Sequence, residues 1–168
     1  MFPTGKHKAE ALALVDHVLE FIGDRPLDSE LEFELNRRFG PHSGIYERLA
    51  QLLNVGVAEG WVAYSAVHGA EYNRGRLAEP SPKTSGMSIE SAVMHDVKGQ
   101  YHKHTRGEID MVIPIDNGSE WCGRGAGWVV YPQGSEHFPT VTGGRTLILY
   151  FLPGGAIEYK DPPKAWLP

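Results

Sequence analysis

Between residues 99 and 114 the chain reads GQYHKHTRGEIDMVIP, and His102, His104 and Glu108 are side chains of the types that hold transition metals. In a strand, alternate side chains share a face about 7 Å apart. His102 and His104 therefore lean to one side, and both imidazoles can reach one ion. Thr105-Arg106-Gly107 reads as a tight turn that brings Glu108 in from the next strand. A second glycine-bounded segment, GWVVYPQGSEHFP, carries Pro132, Gly134 and His137, and its Pro-Gly turn would deliver His137 from a distant strand. Three neutral imidazoles and one carboxylate leave positions open on an octahedral ion for water or substrate. That donor set suits a divalent transition metal, Fe(II), Mn(II), Ni(II) or Zn(II), better than Ca(II) or Mg(II), which prefer oxygen. The competing reading is a solvated strand face followed by an unrelated turn. A structural zinc site would more often use several cysteines, and Cys122 stands alone.

Other residues could serve such a centre. Asp110 shares parity with Glu108 and is a candidate acid/base group, a carboxylate supporting the ligands, or a surface charge paired with Arg106 or Lys103. Arg74, Arg76 and Arg106 are candidates for gripping a substrate carboxylate through a bidentate pair. Tyr101, Trp128, Tyr131, Phe138 and Tyr150 are candidate walls of an aromatic pocket, although aromatic residues at strand spacing commonly form core. His95 reads as a core or rim histidine, and Cys122 as a small buried apolar residue.

The elements that position these residues fall into two styles. Residues 1–60 have helical periodicity. Leu12, Val15, Val18, Leu19 and Ile22 form one stripe ending at Gly23. Asp28 or Ser29 caps a second helix carrying Leu31, Leu35 and Phe39, which stops at Gly40-Pro41. A third helix begins near Ser43 and turns Ile45, Leu49, Leu52 and Leu53 inward. Residues 61–86 read as a hairpin around His68-Gly69 and a Pro-containing linker, AEPSPKTSG. After it come eight short alternating runs, 87–97, 99–104, 107–115, 119–123, 126–131, 137–141, 145–152 and 156–159, without an intervening helix. They predict a mainly β chain, an antiparallel sandwich or barrel over 87–160, and a tail over 161–168. The helical unit is expected to cross the barrel mouth or form a subunit contact.

Composition narrows the function. The net charge of −5 opposes phosphate contact. Three helices followed by a hairpin could be a winged helix, but the third helix offers only Arg48 as a cation, and carboxylates outnumber Lys plus Arg in residues 1–80. No nucleic-acid partner is expected. No stretch approaches the roughly 20 apolar residues of a membrane helix. The N-terminal apolar run is broken by Asp16, His17 and Glu20, so it reads as mature chain, and the single cysteine fits a reducing cytoplasm.

His102-x-His104-x3-Glu108 and Pro132-x-Gly134-x2-His137 resemble the two metal-binding motifs of the cupin superfamily, over roughly residues 87–160. The resemblance implies a jelly-roll β-barrel with the metal inside, and a homodimer. Ile115 stands where the first motif has glycine, and Ala126 where the second does, with glycines close by in both cases. A narrower resemblance spans nearly the whole chain. EFIGDRPLD, ELNRRFGP, GVAEGW, HKHTRGEIDMVIPID, GWVVYPQGSEHFPTVTGG and LYFLPGGAIE are similar to a small family containing bacterial 4-hydroxylaminobenzoate lyases. That implies conversion of 4-hydroxylaminobenzoate to 3,4-dihydroxybenzoate with release of ammonia, and a small aromatic carboxylate as substrate. The same ligands would also serve an Fe(II) dioxygenase, or a ligand-sensing cupin without turnover.

Overall fold

The computed structural model describes residues 4–69 and 71–166. Ala70 in the expected hairpin, the first three residues and the last two of the tail lie outside them. Helix α1 (Thr4–Ile22) ends where Gly23 takes a left-handed conformation and its N–H donates to the Leu19 carbonyl. Asp28, rather than Ser29, caps α2 (Ser29–Phe39), accepting from the Leu31 N–H at 2.9 Å. Ser43 caps α3 (Gly44–Glu59) in the same way, and Gly60 closes it. Val15, Val18, Leu19, Ile22, Leu31, Leu35, Leu49, Leu52 and Leu53 are buried as their periodicity predicts, but on α3 it is Tyr46 that is buried, while Ile45 is only half so.

Among the described residues ten strands follow: β1 (Ser65–His68), β2 (Tyr72–Ala78), β3 (Met87–Lys98), β4 (His102–His104), β5 (Glu108–Pro114), β6 (Glu120–Trp121), β7 (Gly127–Tyr131), β8 (Ser135–His137), β9 (Thr140–Pro153) and β10 (Glu158–Tyr159). The large sheet has the order β1-β2-β3-β9-β5-β7, with β6 also on β9; the small one has the order β10-β4-β8. Each pairing is antiparallel. Strand β9 merges part of one expected run with another, because Gly143 and Gly144 at positive φ bend the chain without ending it. The β2–β3 pairing stitches the hairpin into the large sheet. The two sheets form a jelly-roll-like sandwich and do not close into the expected barrel, since the path of the large sheet stays open at β1 and β7.

Strand parity divides the core. Ile109, Met111, Ile113, Trp128, Val130, Leu147, Leu149 and Phe151 face the helices and share one cluster with them. Ala92, Met94, Val112, Val129 and Ile148 face the other way, with Trp121. The helices therefore cover the large sheet on the face away from the candidate site, rather than crossing a barrel mouth. Their apolar stripes match an apolar sheet face, whereas the opposite face carries Glu90, Glu108 and Asp110.

Candidate metal centre

The three histidines come from the small sheet. His102 and His137 sit directly opposite each other across β4 and β8, and His104 is two residues further along the same face of β4. Two turns hold this register. The N–H groups of Gly107 and Gly134 both donate to the His104 carbonyl, at 3.2 and 2.8 Å. Both glycines have φ of +87°, and a Cβ at Gly107 would lie 2.9 Å from the Tyr131 carbonyl oxygen. The turns expected around Gly107 and Pro132–Gly134 thus perform the delivery that the ligand spacing requires.

Glu108 arrives from β5 of the large sheet. Its Oε2 lies 3.2 Å from His104 Nε2, and both side chains are almost wholly buried. The three Nε2 atoms form a triangle with sides of 3.1, 3.0 and 3.1 Å. Nitrogens held cis to one another at about 2.1 Å from one ion stand about 3.0 Å apart. The triangle therefore fits a divalent transition-metal ion; Glu108 lies against His104 but outside the group of three whose ligand atoms converge.

Tautomers and charge fit the same group. His102 Nδ1 is 3.1 Å from the Gln100 carbonyl, so it carries the proton and leaves Nε2 bare. His137 Nδ1 faces the Cys122 thiol at 3.6 Å, while His104 Nδ1 is buried without a partner. Burial pulls His104 down to about 3, helped by His102 and His137, and it does the same to His137, helped by His102. Burial also lowers His102, against its bond to Gln100. All three imidazoles are then neutral and free to donate lone pairs.

The carboxyls behave in the opposite sense. Burial pushes Glu108 well above the usual range, and the neighbouring Asp110 adds to this. Burial raises Asp110 to about 7, against hydrogen bonds from Glu108 and Trp121, whose Nε1 donates to Oδ2 at 3.1 Å. Asp110 Oδ1 is buried without a hydrogen-bond partner, and Glu108 Oε2 has only its close approach to His104. Of the two, Glu108 faces a neutral imidazole, and a cation bound there would favour its ionised form.

A matching model for the 4-hydroxylaminobenzoate lyase family, PnbB, spans residues 13–159. A 4-hydroxylaminobenzoate lyase of Nocardioides sp. (strain LMS-CY) is 40% identical, over 90% of this chain and 96% of its own. That of Pseudomonas putida is 36% identical, over 89% and 94%. The chain belongs to the 4-hydroxylaminobenzoate lyase family. Among solved structures, an RmlC-like cupin protein from Ralstonia eutropha JMP134 matches at 15% identity and a TM-score of 0.44, covering 60% of this chain and 66% of that one. A chain from the crystal structures of the DMSP lyases RdDddP and RnDddQII matches at 16% and 0.44, covering 94% and 98%.

In this member of the lyase family a cavity opens beside the cluster, with His102, Glu108, Tyr72, Arg74, Trp121, Tyr150 and Tyr159 on its walls. Of the arginine and aromatic candidates, Arg74 and Tyr150 line it and six others do not, Tyr131 packing instead against the His137 ring at 4.6 Å. Arg76 is committed to Glu90 at 2.6 Å and Glu79 at 3.2 Å. Arg106 is exposed, with its guanidinium close over Gly154. Trp128 has the helix-facing parity of β7, and its Nε1 donates to the Phe39 carbonyl. Tyr101 and Phe138 pack on each other at 4.9 Å, and Lys98 covers the Phe138 ring. Asp110 stands behind Glu108 rather than on the wall. His95 is a rim residue near Glu71 and Asp96. Sequence reasoning missed Trp121, Tyr72 and Tyr159, because strand pairings remote in sequence bring them to the cavity and no local pattern marks them. It also read Cys122 as merely apolar, although its thiol meets a ring nitrogen of the cluster.

Proposed function

We propose that the protein is a metal-dependent 4-hydroxylaminobenzoate lyase that converts 4-hydroxylaminobenzoate to 3,4-dihydroxybenzoate and ammonia. The observation that carries this reading is the pair of relatives of that name at 36–40% identity over nearly the whole chain. The reaction takes up one water, breaks the N–O bond, the ring C–N bond and one ring C–H bond, forms two C–O bonds on the ring, and needs no external oxidant or reductant. His102, His104, His137 and Glu108 would hold the ion, for which Fe, Mn, Ni and Zn are all chemically suitable. When bound, it supplies a Lewis acid that polarises the N–O bond.

The chain's own groups do the rest. The aromatic ring would lie in the cleft lined by Tyr72, Arg74 and Tyr159, while Trp121 and Tyr150 wall the small space next to the cluster and exclude bulk water. Asp110 positions Glu108 from behind and keeps a proton within its reach, so acid/base work by Asp110 would act through Glu108. Trp121 fixes Asp110 in turn. The lone Cys122 supports a cytoplasmic setting, and no described helix is long and apolar enough to cross a membrane. A homodimer is part of the same proposal, and light scattering on the purified chain measures its mass.

Anaerobic incubation with 4-hydroxylaminobenzoate, with ammonia and 3,4-dihydroxybenzoate quantified, tests the activity. Equal yields of both without oxygen are expected. A strict need for oxygen would overturn the lyase in favour of a dioxygenase. Elemental analysis of untagged protein, followed by stripping and reloading, identifies the ion.

A further inference from the structure

The lyase reading requires that a ring carrying a carboxylate be placed with its opposite substituent at the histidine cluster. Arg74 is the sole arginine or lysine among the residues lining the cavity beside that cluster. Unlike Arg76, it has no carboxylate partner among the described residues. Its guanidinium donates to the Tyr159 hydroxyl at 3.0 Å, which leaves that hydroxyl's own proton to donate elsewhere. Tyr159 lies directly across β10 and β4 from His102, and their rings are 5.8 Å apart. One phenol therefore links the cluster to the cation, and the cation is no further from the cluster than a single ring plus its contacts. The enclosed space beside the cluster is about 30 Å³, so a benzene substituted at opposite ends must occupy the adjoining cleft of about 140 Å³, which Tyr72, Arg74, His102 and Tyr159 also line.

We propose that Arg74 and Tyr159 form a carboxylate clasp at the outer end of the cavity, which selects a para-substituted benzoate and aims its other substituent at the cluster. The guanidinium supplies the charge and the phenol a second donor to the same carboxylate. The exposure of Arg74 suits this role: the clasp can be reached from solvent, while the reacting end is buried. The clasp specifies the substrate end of the proposed lyase site, so its test must read binding apart from turnover.

The probes are 4-hydroxybenzoate and its neutral counterpart 4-hydroxybenzamide, titrated calorimetrically into full-length, metal-loaded protein. Wild type is expected to prefer the acid. Arg74→Gln is expected to weaken binding of the acid about 10- to 100-fold, the range of one or two charge-assisted hydrogen bonds, and to collapse the preference over the amide. Tyr159→Phe is expected to weaken the acid several-fold in the same direction. Circular dichroism and melting of each variant confirm that the fold is retained. Equal binding of acid and amide by wild type, or equal weakening of both by Arg74→Gln, would overturn the clasp. Ammonia release from 4-hydroxylaminobenzoate is measured on the same wild-type sample: its absence together with a preserved acid preference would sink the lyase and leave the clasp standing.

Discussion

His104 is fully buried, with one ring nitrogen unpartnered and the other crowded by two imidazoles and a carboxylate. In folding terms this is a cost, since a buried polar atom without a partner is destabilising by about 1–3 kcal/mol. Replacing it with leucine removes that cost and keeps an apolar volume. For protein stripped with a chelator, His104→Leu should therefore melt no lower than wild type. Adding the metal should raise the wild-type midpoint, by about 2.7 kcal/mol of stability at a hundredfold excess over Kd, and leave the variant unmoved. Calorimetry of the four samples reads both effects, and a metal-dependent rise in the variant would argue against His104 as a ligand. Gly107 is the second residue with a sharp expectation. Its left-handed φ and the nearby Tyr131 carbonyl make Gly107→Ala costly, by about 1–3 kcal/mol. Because Glu108 is the next residue, metal affinity measured by competition should fall with stability.

At the scale of elements, α2 does more than fill a core. Asn36 accepts from the Trp128 N–H and donates to the Trp128 carbonyl, both at 2.8 Å. One turn earlier, Glu32 accepts from the Val130 N–H at 3.0 Å. These side chains occupy the hydrogen-bonding positions that a further strand would take beside β7. Asn36→Ala strips two backbone groups of their partners and should cost about 2–4 kcal/mol in denaturant unfolding, well above an exposed helix substitution. None of this was legible in NRRFG, where Asn36 reads as one more polar helix position. What was legible follows local periods: the stripe on each helix, the alternation that sends Glu108 and Asp110 to one face, and the turns at Gly107 and Gly134. Trp128 marks where that reasoning ends. Its alternation with Val130 and Val129 is plain, but which set meets the helices depends on sheet pairing, and one step of register exchanges the faces. Arg74 could not be distinguished from Arg76 for a related reason. Glu90, which neutralises Arg76, reaches it through a cross-strand register invisible to either segment alone.

For the whole molecule, the division of labour lies across the large sheet. One face is apolar and shares its core with all three helices; the other meets the small sheet and carries the buried carboxyls. The helical part and the sheet are thus stabilised by the same contacts. A chain beginning at residue 61 would expose Ile109, Met111, Leu149 and Phe151 to water, each a loss of roughly 1.5–3 kcal/mol. Such a chain should lack cooperative melting by circular dichroism, and should gain it only when residues 1–60 are restored.

The hold of α2 on β7 also bears on how a stored solution of this protein would spoil. Should that helix loosen before the rest melts, a row of amide and carbonyl groups becomes open to any neighbouring copy, and recruitment of strands competes with refolding. Warm storage would then end in turbidity, sooner in concentrated samples than in dilute ones, while the remainder of the sandwich was still intact.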